Sequence, residues 1–123
     1  VSSTGSHLSP PNADELEVSL FGPGFGEGLA VHLGEGKWMI VDSCIDRATG
    51  RPAATRYLES IGVDCAENVA VVVATHWHDD HARGLADVVA QCEHAMFAYG
   101  TALQTHEFLT VASHLPGELI RRA

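Results

Sequence analysis

The stretch Val69-Ala70-Val71-Val72-Val73-Ala74-Thr75-His76-Trp77-His78-Asp79-Asp80-His81 decides how this chain is read. Its first six residues are an unbroken apolar run rich in β-branched side chains, which predicts a strand covered on both faces. The polar half follows at once, with three histidines and two aspartates in six positions. A lone histidine in a loop is usually a polar surface residue, but this density at the mouth of a buried strand does not serve packing. Neutral imidazole is the commonest protein ligand for a transition metal, so the run predicts a metal site. His76 and His78 lie two apart and can reach one side of an extended or turning backbone. Asp80 and His81 follow where a tighter turn can aim them at a second ion. Two metals roughly 3.5–4 Å apart can clamp both the attacking and the leaving oxygen of a displacement. Zinc suits a His/Asp donor set first, and iron or manganese also fit.

On the N-terminal side, Glu17–Phe21 alternates with period two and reads as a strand. Gly22-Pro23-Gly24-Phe25-Gly26-Glu27-Gly28 is a glycine-rich turn. Leu29–Leu33 and Trp38–Asp42 are two further strands, joined by the hairpin composition Gly34-Glu35-Gly36-Lys37. The opening is thus an antiparallel meander. Ala53–Ile61 then reads as a helix, with Pro52 at its first turn and Gly62 past its end. On the C-terminal side, Leu85–Cys92 predicts an amphipathic helix and Ala95–Tyr99 a short strand. Leu103–Leu115 predicts a third helix closed by Pro116-Gly117. A meander followed by β-α-β-α units defines an α/β layered fold.

The 123 residues suit one domain, with residues 1–14 expected as a flexible tail and 15–123 as the folded unit. Val1–Ala13 has neither the basic nor the apolar region of a signal peptide. No apolar stretch is long enough to span a bilayer, so no membrane partner is expected. A net charge of −9 argues against nucleic acid held by bulk electrostatics. It leaves open a phosphate held through metal ions. Cys44, Cys65 and Cys92 are odd in number and widely spaced, which argues against a structural zinc knuckle or a disulfide framework and suits free thiols in a reducing, cytoplasmic setting. Cys44 lies close after Asp42, and a buried structural thiol is the better reading than a nucleophile. The glycine-rich turn leads into a strand and not a helix, so it does not read as a phosphate-binding loop.

His76-x-His78-x-Asp80-His81 after an apolar strand resembles the signature of the metallo-β-lactamase superfamily. Trp38-Met39-Ile40-Val41-Asp42 resembles that family's early strand, which ends in an aspartate near the metal loop. Gly84-Leu85 is similar to the family pattern in which a small residue lets the following helix pack close to the site. The glycine-rich turn with Gly28-Leu29-Ala30-Val31 is similar to the opening of the competence-protein-like branch. The resemblance implies that His76 and His78 hold a first metal and that Asp80 and His81 hold a second. Asp80 would also orient the metal-bound water or receive its proton. Asp42 would act behind the ligands, fixing one of them; an Asp capping the turn after its strand is the equally good alternative. Asp79 would face solvent, and Trp77 would pack beside the site.

Family members complete the site with later ligands from the second half of a four-layer αββα sandwich. The histidines after the motif are His94, His106 and His114. His94 is placed at the start of a strand, and the other two read as exposed helical side chains. The resemblance therefore implies the N-terminal half of the domain: a mixed sheet with an antiparallel opening and helices on one face. The missing half, or another chain, would pack on the exposed sheet face. By itself the piece is expected to bind metal weakly and to lack activity. The implied function is a binuclear zinc hydrolase acting through metal-activated hydroxide on an ester, thioester, lactam or phosphodiester. The alternatives are an iron-binding oxidoreductase or dioxygenase of the same fold, and a catalytically dead interaction module.

Overall fold

A computed structural model of the chain describes residues 9–22, 27–75 and 82–99. The glycine-rich positions 23–26, the donor-rich positions 76–81 and the helix expected at 103–115 lie outside the described residues. The elements run in the order β1 (Glu17–Phe21), β2 (Gly28–Gly34), β3 (Lys37–Val41), β4 (Ile45–Asp46), β5 (Arg51–Pro52), α1 (Ala53–Ser60), α2 (Cys65–Asn68), β6 (Val69–Ala74), α3 (Ala82–Gln91) and β7 (Met96–Tyr99). Five strands form one sheet in the order β1-β2-β3-β6-β7. The first three pair antiparallel, while β3–β6 and β6–β7 pair parallel. This is the mixed α/β architecture expected from the sequence.

Local chemistry explains the main turns. Glu35 and Gly36 both have positive φ, at 55° and 73°. That geometry matches the right-handed twist of the flanking strands and closes the tight β2–β3 hairpin. At the end of α1, Gly62 takes φ 83° and donates its N–H to Glu59 O at 3.1 Å. Val63 N–H then bonds Leu58 O at 2.9 Å, so the free carbonyls of the last turn are satisfied.

The sheet has two unequal faces. Ala30, Ile40, Val72 and Phe97 are partners across four neighbouring strands, and all are buried. Onto this row pack Leu58 and Ile61 of the α1 region and Leu85, Val88 and Val89 of α3, forming one core. The described helices therefore cover a single face, as expected. The opposite face is also apolar: Val18, Val31, Met39, Val71 and Met96 are register partners across all five strands. Among them Val18 is 60% exposed and Met96 51%.

His32 is the one imidazole in the described core and is 1% exposed. Its ring is satisfied at both nitrogens. Nδ1–H donates to Glu15 O at 2.6 Å, and Nε2 accepts Gly36 N–H at 3.2 Å. The pair ties the segment before β1 to the β2–β3 turn, as does the Glu35 N–H bond to Ala13 O at 2.8 Å. The Tyr57 hydroxyl donates to the Glu17 carboxylate, which fastens α1 to β1. Burial first, then the Glu17 carboxylate, push the Tyr57 phenol above its usual range.

Several elements depart from the sequence reading. β4 and β5 form a two-stranded ribbon that composition did not reveal, because each strand has only two residues. α2 was also unforeseen; it is one turn long, capped by the Asp64 carboxylate accepting Ala66 N–H at 3.0 Å. Pro52 closes β5 and precedes α1, and is not part of the helix's first turn. The first N–H of the helix, on Ala53, finds its acceptor in Cys44 O at 2.9 Å. Helix α3 begins at Ala82, three residues before the periodic apolar positions announced it.

Leu58 is fully buried at the centre of the core. Leu58→Ala is expected to lower unfolding free energy by roughly 2–5 kcal/mol, read from the midpoint of urea denaturation with an unchanged slope.

Candidate metal centre

Parallel strands carry their functional loops at their C-terminal ends. Here β3 and β6 end side by side, with Val41 paired to Val73. Each strand delivers one polar residue just past that point: Asp42 after β3 and Thr75 after β6.

Asp42 takes φ 57°, a conformation that aspartate and asparagine tolerate better than most residues. Its backbone N–H donates to Val73 O at 2.7 Å. Its carboxylate crosses to the neighbouring strand, where Oδ1 accepts Thr75 N–H at 2.8 Å and Oδ2 accepts the Thr75 hydroxyl. Both carboxylate oxygens thus grip the residue immediately before His76. Asp42 thus combines a left-handed backbone with a side chain that reaches the end of β6.

The next residues fill the space behind this clamp. Ser43 is 8% exposed, and its hydroxyl has no hydrogen-bond partner among the described residues. It faces Gly84 in the first turn of α3. A Cβ added to Gly84 would stand 3.2 Å from Ser43 Oγ and 2.9 Å from Ile45 Cδ1. Glycine is thus what allows α3 to start this close to the turn after β3. Gly28 plays a similar part at the entry to β2, where an added Cβ would lie 3.3 Å from the Cys44 amide nitrogen. Cys44 is buried, and burial followed by the Asp46 charge pushes its thiol above the ordinary value, in keeping with a structural thiol.

The four residues expected as donors, His76, His78, Asp80 and His81, together with Trp77 and Asp79, lie outside the described residues, as do His106 and His114. Their chain flanks are described: Thr75, held by Asp42, on one side and the start of α3 at Ala82 on the other. Among the described residues no group of three or more His, Cys, Asp or Glu side chains comes together to hold an ion. His94 lies in the turn before β7 and forms an exposed pair with Glu67 at 3.5 Å. Thr75 and Ser43 are the two site neighbours that sequence reasoning did not single out. Thr75 carried a signal, since it is the hinge residue between the apolar run and the donors. Ser43 carried none beyond its place after Asp42.

A model of the metallo-beta-lactamase superfamily matches residues 23–101, well over half of the chain. The chain belongs to this superfamily. The match begins in the glycine-rich turn, runs through both crossovers and ends just past β7, so it covers every element that shapes the site. No curated protein matches the chain. Among the described residues no helix is long and apolar enough to cross a membrane.

Asp42→Ala removes both carboxylate bonds and leaves a residue poorly suited to φ 57°. It is expected to cost roughly 1–3 kcal/mol in denaturant unfolding. Asp42→Asn keeps the tolerance for this φ and one side-chain oxygen acceptor, so its loss is expected to be the smaller. Gly84→Val, which drives a branched side chain into Ile45 and Ser43, is expected to destabilise by roughly 1–3 kcal/mol in the same assay.

Proposed function

We propose that the chain carries the metal-binding segment of a zinc-dependent hydrolase. His76 and His78 would hold one ion, and Asp80 and His81 the second. The Asp42 grip on Thr75 supports this reading most directly. A buried-strand end needs no two-oxygen anchor for packing alone, whereas a donor run that must begin at a fixed point does. Superfamily membership supports hydrolytic, metal-dependent chemistry in general. The donor set fits a divalent transition metal, since imidazole and carboxylate are borderline-to-hard ligands suited to zinc.

When bound, such ions act as Lewis acids that bring the pKa of a coordinated water towards neutrality and stabilise a developing oxyanion. The protein's own groups do the positioning. Asp80 orients the attacking water and takes up its proton. Asp42 acts one step removed, through Thr75, by fixing where the backbone leaves β6 and therefore where His76 begins. Gly84 lets α3 close the far end of the segment.

The substrate class is an ester, thioester, lactam or phosphodiester. The net charge of −9 favours small substrates over long nucleic acids. The apolar sheet face that no described helix covers supports a second layer packing there, either the rest of the domain or another chain. Three free, buried thiols are in keeping with a cytoplasmic setting.

Zinc titration followed by calorimetry and elemental analysis tests the assignment. The wild-type chain is expected to bind zinc, and His76→Ala with His78→Ala to lose it while the metal-free chains unfold alike. Asp42→Ala is expected to weaken zinc by roughly 10–100-fold. Stoichiometric iron in the purified protein would replace the hydrolase with an oxidoreductase of the same fold. In a protein active on any of the four substrate classes, Asp80→Ala is expected to abolish turnover, and unchanged turnover would favour a non-catalytic module.

A further inference from the structure

The outer strand β1 ends the five-strand order and pairs with β2 in an unbroken register, from Glu17–His32 to Phe21–Gly28. An antiparallel ladder uses only half of a strand's backbone groups, so the remaining N–H and C=O groups of β1 form an open edge. Among the described residues no strand pairs with that edge. Proteins commonly blunt such edges with proline, lysine or a bulge. β1 has none of the three. It reads Glu17-Val18-Ser19-Leu20-Phe21, and its register is unshifted, unlike those of β2–β3 and β3–β6.

The two sides of the strand differ. On the helix side Glu17 accepts the Tyr57 hydroxyl, and the Phe21 ring lies 5.5 Å from that of Tyr57. Ser19 donates to the Glu17 carboxylate at 3.1 Å. The one charge of the strand is therefore engaged towards α1. On the open side Val18 is 60% exposed and Leu20 66%.

We propose that β1 is a dimerisation edge, at which two copies of this chain pair antiparallel about a twofold axis at Ser19 and join their two sheets into one.

The strand complements itself in this register. With the axis at Ser19, Val18 stands opposite Leu20 of the second copy and Glu17 opposite its Phe21. Apolar then meets apolar on the open side, and no like charges meet across the axis. That matters for a chain of net charge −9, whose copies repel one another on average. The helices also leave room. α1 packs against β2, and the two β2 strands would stand three strand spacings apart, about 14 Å. Packed helices need roughly 8–10 Å, so both copies of α1 fit on the same side of the joined sheet. Five residues a side make a small interface, so the dimer is weak and concentration-dependent.

Analytical ultracentrifugation of the intact chain, from micromolar to near-millimolar concentration, tests the proposal. The wild-type chain is expected to pass from monomer to dimer and no further. Val18→Lys and Leu20→Glu are each expected to raise the dimer dissociation constant roughly tenfold. Mixed in equal amounts, the two variants are expected to recover the dimer, because the axis at Ser19 sets the introduced lysine opposite the introduced glutamate. Met96→Lys, on the same open face but at the opposite edge of the sheet, is expected to leave association unchanged. Circular dichroism and the urea midpoint of each variant are expected to stay close to wild type. A wild-type chain that remains monomeric, as it would with its own residues 1–8 lying along β1, overturns the proposal. So do assemblies larger than a dimer, loss of association in Met96→Lys, a dimer unaffected by Val18→Lys or Leu20→Glu, or two folded variants that fail to recover the dimer when mixed.

Discussion

Parallel pairing of β3 with β6 governs this structure. Two parallel strands cannot be joined by a tight turn, so the chain between them must travel back along the sheet before it can re-enter. The β4–β5 ribbon, α1 and α2 are that return path, and α1 covers the core as it goes. The reward for the detour is at the other end. Strands that run the same way finish at the same edge, which brings Asp42 beside Thr75 although 33 positions separate them. An antiparallel pairing would have put these two residues at opposite ends of the sheet.

That edge is built from several small permissions. Asp42 accepts a left-handed backbone while its carboxylate reaches Thr75 on the neighbouring strand. Ser43 and Ile45 lie against a glycine in α3 where a larger residue would collide. The helix can therefore begin at Ala82, so positions 76–81 are flanked on both sides by described backbone. Superfamily membership gives this arrangement its chemical meaning, while the anchoring itself follows from a handful of short contacts.

Much of this was legible in the residues. The continuous apolar run at Val69–Ala74 announced a strand covered by neighbours, and the alternation at Glu17–Phe21 announced a strand, which the structure places at the sheet edge. Gly62 marked the end of α1 because the closing motif there requires a positive φ. Other features left little trace. A two-residue strand such as Ile45–Asp46 has no period to detect. The first turn of α3 was missed because the apolar period begins only at Leu85, although the resemblance had already given Gly84 the close approach that the structure shows. Asp64 could have betrayed α2, since a capping aspartate before a short polar segment is a start signal. The Asp42–Thr75 bonds could not be read at all, because they depend on which strands pair and in which direction. The expected donors His76, His78, Asp80 and His81 were the reverse case, conspicuous in sequence through residue chemistry and the family resemblance, and outside the described residues.

The β2–β3 hairpin and the β3–β6 pairing also differ in how far apart in sequence their partners lie. The hairpin closes over two residues and needs only a local turn, an event of microseconds. The parallel pair must first close a loop through two helices and a ribbon, and the entropy of that closure is lost before any contact repays it. Folding is thus expected to lay down the meander early and to bring β6 alongside it late. The grip of Asp42 on Thr75 then belongs to the final stage, and the edge that defines the site is among the last parts of the molecule to exist.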